Sequence, residues 1–448
     1  MQFKKYNIII IFSFLITTIC HAQKPMDNNS ISNLTLDQVM EIADKNSMDV
    51  RSAATELNYL KDSEVLTYFN LGPSLNARAN LSFAPGQTES TNTNQPSQSE
   101  NITLTLTQPI TEIVQNSFKI NQKAKLRKAA EFDLISERIK AREKAAELYI
   151  NSQQAYRNIE IKRTEQTQVG EQLNETKTLY ESGDENKTKI DLLQLQAKYI
   201  ESEISLSRAV VDLQNKTAEL KSFLALNSNI TLAFEDKSYW EAKNKTIENL
   251  NVLIEKGKNG RFEIKNLENK ISAEKSNFIQ SSFEYLPKIN FFASYAYDNS
   301  SQSNSSENPS VSFYPQKTIK YGLNFNWNIW DGGIVADSQM SSLNKKRKLI
   351  IEKEKTGFKI NQEIVLAYND FKNYNTNLSK AKSVVEVSEE ALKLSQIKYK
   401  SGDLTASELI LVQNALTNSK INLALLRSNL DITWVKLQAS LGEIPKIN

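Results

Sequence analysis

The chain of 448 residues holds one cysteine and one histidine, and they stand side by side as Cys20 and His21. Lys4 and Lys5 precede an apolar run from Ile8 to Ile19, and Cys20-His21-Ala22-Gln23 ends it with a small residue at the expected cut. The run is too short for a membrane-spanning helix. Residues 1–22 therefore read as a secretory signal peptide cleaved after Ala22. Lipid attachment at Cys20 is the competing reading, and Ile19 directly before the cysteine fits it poorly. Cleavage leaves neither thiol nor imidazole, which removes disulfides, most transition-metal sites and histidine acid–base chemistry at once. A hydrolase would then need paired carboxylates or a Ser-Lys system, and no motif supports either. The sequence implies no catalytic residue, no cofactor and no metal ligand.

The polar residues that do recur at fixed spacing flank two glycines. Tyr399-Lys400-Ser401-Gly402-Asp403 runs on to Glu408-Leu409-Ile410, and Tyr180-Glu181-Ser182-Gly183-Asp184 runs on to Ile190-Asp191-Leu192, with the two glycines 219 positions apart. In each copy a helical pattern is interrupted by one Gly, whose tolerance of φ > 0 ends a helix and reverses the chain. A helix then restarts immediately. Both copies read as tips of helical hairpins. On its own, Glu408 is a solvated carboxylate in a first helical turn, favoured there by the helix dipole. One Ser-Gly-Asp turn could be chance; two with matching flanks belong to a longer repeat.

Long helices must carry these tips. No proline occurs between Pro109 and Pro287, or between Pro315 and Pro445, and such spans suit uninterrupted helix. The formal charge of +3 falls to +1 once Lys4 and Lys5 are removed, so nucleic acid is not an implied partner. No apolar run reaches the length of a helical membrane span. Entry into a membrane would require a β-barrel.

The rest of the chain supplies strands of the right length. After a polar tail, Thr35 with Gln38 forms a capping box for a helix running to about Phe69. Leu75, Ala77, Ala79, Leu81 and Phe83 then alternate with polar residues, and Ile102, Leu104 and Leu106 alternate with Thr103, Thr105 and Thr107 across a polar loop from Ala84 to Glu100. Each segment is about ten residues, enough for a tilted strand to cross a bilayer. A helix from Ile113 to Tyr180 spans about 100 Å, and Gly183 returns the chain to about Leu226. Residues 227–245 form an irregular connection with a possible short strand at Ile230–Phe234. The plan then repeats over residues 246–442: a helix from about Thr246 to Tyr285, strands at Ile289–Tyr297 and Ile319–Ile329 around a loop from Asn299 to Lys317, a long helix to Tyr399, and a tail, 443–448.

In the last long helix, Ile360, Ile364, Ala367, Phe371, Tyr374, Leu378, Ala381, Val385, Ser388, Leu392 and Tyr399 repeat every 3.5 residues on average, a coiled-coil seam. Shifted by 219, the register gives Ala141, Ala145, Leu148, Ser152, Ala155, Ile159, Val169, Leu173 and Tyr180. The chain is a tandem duplication, with residues 23–226 as the first repeat. Four strands cannot close a barrel, and an open edge in lipid leaves backbone groups unpaired at several kcal/mol each. Several copies must share one barrel. Phe69, Tyr285, Trp327 and Trp330 sit near strand ends, where an aromatic girdle meets the membrane interface. A pore-less structural or adaptor-like coiled coil is the alternative, and it leaves four bilayer-length strands unexplained.

The duplication, Leu286-Pro287 with a diverged Leu71-Gly72-Pro73, Trp330-Asp331-Gly332-Gly333, the paired Tyr-x-x-Gly tips and Leu441-Gly442 together resemble the TolC-type outer membrane efflux proteins over residues 34–442. The resemblance implies a mixed α+β membrane protein: a homotrimer whose 12-stranded outer membrane β-barrel continues as an α-helical coiled-coil tunnel in the periplasm. It implies a passive exit duct for efflux or type I secretion, with a periplasmic adaptor and an inner-membrane pump as partners and outer membrane lipid around the barrel. It further implies closure and adaptor docking at the tips, where Tyr180, Gly183, Asp191, Tyr399, Gly402 and Glu408 are the expected site residues. A family tyrosine matches Tyr399 and a family acid matches Glu408, while the first-repeat acid falls on Lys189, with Asp191 two positions off. A ring of Glu408 carboxylates would favour cations and raise its own proton affinity.

Overall fold

The computed structural model describes residues 34–84, 97–227, 232, 247–302 and 312–445. The leader and most of the loop after the first strand lie outside them, as does the expected strand at Ile230–Phe234 apart from Leu232.

Each repeat begins with a broken helix. In the first, α1 (Leu36–Asn46) opens on the expected Thr35–Gln38 capping box, and one extended residue, Ser47, separates it from α2 (Met48–Phe69). In the second, α5 (Leu250–Gly260) is separated by Arg261, at ψ 126°, from α6 (Phe262–Ser282) and a 3₁₀ turn at Phe283–Tyr285. The continuous helices expected over Thr35–Phe69 and Thr246–Tyr285 are thus each two. At the second break two backbones come together: a Cβ on Gly260 would lie 2.6 Å from the Leu441 carbonyl oxygen, and one on Gly442 would lie 2.8 Å from that of Gly260. The backbones touch where α8 ends, and only glycine allows it.

Strands β1 (Ser74–Ala84), β2 (Ser97–Pro109), β3 (Lys288–Gln302) and β4 (Ser312–Asn326) form one antiparallel sheet in chain order, so the two hairpins of the duplication lie side by side. The strands reach further into the polar segments than their alternation indicated: β3 continues to Gln302 and β2 begins at Ser97. Ladder hydrogen bonds need no apolar side chain, so pairing outlasts the apolar pattern. At the other end β4 stops at Asn326, short of Ile329. The register places Ala77, Leu104, Tyr295 and Ile319 in one row and Asn76, Thr105, Ser294 and Lys320 in the next. Rows of one polarity alternate with rows of the other, and the sheet has an apolar face and a polar face. Ile319, Tyr321, Leu323 and Phe325 are exposed by 62–78 %. Such a face on an open sheet is a surface made to be covered.

From the sheet, α3 (Glu112–Glu181) and α7 (Ile334–Ser401) run away as two rods, and α4 (Lys189–Phe223) and α8 (Ala406–Ser440) return along them. Nearer the sheet α6 lies between α3 and α7; further away α3 packs on α4 and α8, and α8 on α7. Asp331 starts α7 by accepting 2.8 Å hydrogen bonds from the Gly333 and Val335 amides, with Gly332 and Gly333 at φ +70° and +91°. The Trp-Asp-Gly-Gly segment is therefore a strand-to-helix turn. The expected seam is buried along α7 at Ile360, Ile364, Ala367, Phe371, Leu378, Ala381, Leu392 and Tyr399, with Tyr374, Val385 and Ser388 half-buried. In α3 the seam holds from Ala141 to Val169 but leaves Tyr180 exposed. No described helix is long and apolar enough to cross a membrane.

Candidate functional site

The two hairpin tips meet at the far end of the helical layer. Both glycines adopt the left-handed conformation, Gly183 at φ +83° and Gly402 at φ +87°. Both returning helices begin with a capping box, Thr188 with Asp191 and Thr405 with Glu408. Two extra residues between glycine and cap lengthen the first loop, so the repeat offset changes from 219 at the glycines to 217 at the caps. Lys189, the position matched at constant offset, is the residue after the cap. Asp191 is the structural counterpart of Glu408, and their surroundings differ completely.

Asp191 is buried and serves two helices. One carboxylate oxygen accepts from the Thr188 amide at 3.1 Å and hydroxyl at 2.6 Å, and the other accepts from the Ala406 amide at 3.0 Å. It therefore caps α4 and ties the first turn of α8 to it. Burial alone would raise this carboxyl, but the bonds from Thr188 and Ala406 outweigh it and hold the pKa below the ordinary 3.8. Glu408 instead stays exposed and bonds the amide and hydroxyl of its own Thr405, at 3.0 and 2.8 Å. Those bonds hold its carboxyl below the usual 4.5. Within one chain the direction is opposite to the rise expected from a ring of like charges.

Tyr399 is buried against both hairpins. Its hydroxyl lies 3.0 Å from Thr176 Oγ1 on α3, and its ring sits under the buried Lys187 ammonium, 3.7 Å from the centroid. Lys187 also donates to the Tyr399 carbonyl. Burial raises the Tyr399 hydroxyl above its ordinary 10.0, so it remains neutral. Tyr180, its sequence counterpart, is exposed because Thr176 occupies the seam there. Lys400 pairs with Glu175 at 2.9 Å, and Ser407 Oγ donates to Gln194 at 2.9 Å. A Cβ on Gly402 would press to 2.9 Å against Asn186, whereas Gly183 faces open space. Of the six expected residues, the structure brings Asp191, Tyr399 and Gly402 into one cluster and leaves Tyr180, Gly183 and Glu408 on its exterior. Sequence reasoning missed Thr176, Asn186 and Lys187. Thr188-x-x-Asp191 beside Thr405-x-x-Glu408 was the available signal, since two capping boxes 217 apart reveal the longer loop.

At the opposite pole the four aromatics gather at the helix-side end of the sheet. Phe69 ends α2, Tyr285 precedes β3, Trp327 follows β4, and Trp330 opens the turn into α7. All are exposed, Trp330 by 84 %, and Trp327 Nε1 donates to the Tyr285 carbonyl at 3.2 Å.

Comparison with known proteins agrees with this geometry. Residues 39–226 and 253–443, one stretch in each repeat, match the outer membrane efflux protein family. The chain belongs to that family. Among solved structures, this efflux protein is similar to CusC, whose crystal structures concern folding and transmembrane channel formation, with 14 % identity, TM-score 0.76 and coverage of 91 % of this chain and 92 % of that one. It is similar to the Campylobacter jejuni CmeC outer membrane channel at 15 % identity and TM-score 0.73, covering 93 % and 90 %. The open state of the Neisseria gonorrhoeae MtrE outer membrane channel matches at 14 % identity and TM-score 0.73, covering 91 % and 89 %. No curated protein sequence matches the chain. At these identities the structures establish a shared fold, and the family match establishes an outer membrane efflux protein.

Proposed function

We propose that three copies of this efflux protein close a 12-stranded barrel in the outer membrane and continue it as a helical tunnel through the periplasm. The duct is passive: a pump in the inner membrane selects the cargo, and a periplasmic adaptor joins the pump to the tips. The observation carrying this reading is the four-stranded sheet whose edges, β1 and β4, have no further strand paired to them among the described residues, together with its exposed apolar face. Lipid tolerates such a sheet only when neighbours pair with both edges. The outer helices support it. Ile190, Leu193, Ile200, Ile204 and Val211 on α4, and Val384, Val387 and Leu394 on α7, form exposed stripes at coiled-coil spacing. A second copy supplies their partner. Mass measurement in detergent is expected to give three chains, and a stable membrane-embedded monomer would overturn the architecture.

The tip cluster is read as the duct's closed end, with Glu408 facing the conduit beside it. Glu408→Lys is then expected to lower or reverse cation preference in planar bilayers without changing trimer yield. Glu390, exposed on α7, is the suitable control; its neighbour Glu389 pairs with Lys420 at 2.8 Å. Unchanged selectivity in Glu408→Lys, with a change in Asp191→Lys, would move the charge filter to the first hairpin.

A further inference from the structure

The helices leave the sheet through a band of concentrated positive charge. Asn121 Nδ2 bonds Ser276 Oγ at 3.2 Å and Asn277 Nδ2 bonds Ser342 Oγ at 2.9 Å, which sets residues 119–128 of α3, 269–278 of α6 and 341–351 of α7 level with one another. The Arg127–Glu64 pair at 2.6 Å brings residues 63–69 of α2 to the same height. These stretches hold eleven cations: Lys119, Lys123, Lys125, Arg127 and Lys128; Lys270 and Lys275; Lys345, Lys346, Arg347 and Lys348. They hold two carboxylates, Glu64 and Glu274. The whole chain carries only +3, so everything outside the band is net acidic. Among the described residues Arg127 alone of the eleven is in an ion pair, with Glu64 and with Glu131 just beyond the band. Glu274 pairs with none of them.

We propose that this band docks on an anionic polymer of the cell wall, a carboxylate-bearing glycan-peptide mesh that encircles the tunnel. The inference rests on the periplasmic placement proposed above. Successive helical residues turn by about 100°, so Lys345, Lys346, Arg347 and Lys348 point round α7 and cannot all be taken by one neighbour or by the lumen. Lys345, Arg347 and Lys348 are exposed, as are Lys128 and Lys275. Lys345 comes eleven positions after Ile334, so the run lies about 16–21 Å below the start of α7. That is roughly two Debye lengths at physiological salt. Lipid headgroups at the strand ends are screened from this α7 run, whereas a carboxylate polymer lying at its height would not be.

The test uses the purified full-length protein sedimented with isolated wall sacculi at low and high salt. The expected result is salt-sensitive binding that weakens by about tenfold or more in the quadruple variant Lys345→Gln, Lys346→Gln, Arg347→Gln, Lys348→Gln. The same loss is expected when the sacculus carboxylates are amidated. Heat resistance of the trimer on gels checks that the variant is folded. Equal binding by wild type and variant, or by native and amidated sacculi, would overturn the proposal. So would tighter binding to anionic phospholipid vesicles than to sacculi. A reversal-potential shift in the variant with wall binding unaltered would place the band in the lumen and equally defeat it. A conducting trimer that ignores sacculi defeats this inference alone, whereas a monomer defeats the duct reading beneath it.

Discussion

Asp191→Ala is expected to open the tunnel tip, seen as a rise in planar-bilayer conductance at neutral pH. The substitution removes the α4 cap, a loss of about 0.5–2 kcal/mol. It also strands the buried Ala406 amide, at about 1–3 kcal/mol, and removes the attraction between the Asp191 carboxylate and the buried Lys187 ammonium. A combined weakening of about 2–4 kcal/mol shifts a closed–open equilibrium by roughly 30-fold to several hundred-fold. Glu408→Ala, which breaks only an exposed capping box, is expected to do much less. The pH dependence follows from the depressed Asp191 carboxyl. Its contribution is present above the unfolded value near 3.8 and is lost as pH falls through the lower folded value. Conductance should therefore stay flat from pH 8 down to pH 5 and rise only below about pH 4. Opening by Glu408→Ala and not by Asp191→Ala would place the latch on the exposed carboxylate, and a rise between pH 7 and pH 5 would mean that neither depressed carboxylate holds the tip.

Gly402→Val should damage the tip far more than Gly183→Val, although the glycines match in sequence and in φ. Holding a β-branched residue at positive φ costs about 1–3 kcal/mol at either position. At Gly402 the added Cβ also meets Asn186 at 2.9 Å, whereas at Gly183 nothing lies within 4 Å. Overpacking adds about 1–3 kcal/mol to Gly402→Val alone. Limited proteolysis of the tips, with export by the assembled system as the functional readout, should separate the two variants. Adding Asn186→Gly should bring Gly402→Val back to the level of Gly183→Val. Equal damage from both, or no rescue, would mean that the tips do not press on one another as described.

Much of the architecture was legible because the signals were long. Alternation over about ten residues fixed which face of each strand is apolar, and the seam from Ile360 to Tyr399 recurs as a line of buried residues. Legibility failed where one or two residues decide the geometry. A single extended residue, Ser47 or Arg261, splits a helix without altering the pattern on either side. Beside the second of these, Gly260 touches Gly442, nearly 200 positions away, a contact that local periodicity cannot show. At the tips a two-residue lengthening moved Asp191 into the place of Glu408 and buried Lys187 against Tyr399. The two tyrosines lie before that lengthening and match at the constant offset, yet Tyr399 is buried against Thr176 while Tyr180 stays exposed. The burial that makes Asp191 structural and leaves Glu408 exposed is tertiary in origin, since both sit at the same position of the same capping motif.

The unequal lengths of the two loops matter for whatever docks from below. Around the axis of the proposed trimer six tips alternate, three with seven residues between helices (182–188) and three with four (402–405). The end of the duct then has the symmetry of a triangle, not of a hexagon. A docking ring built from six identical subunits would meet two kinds of seat in turn, and its neighbouring subunits would have to bind in two conformations or with two strengths. A ring of three would seat uniformly, each member spanning one long loop and one short one.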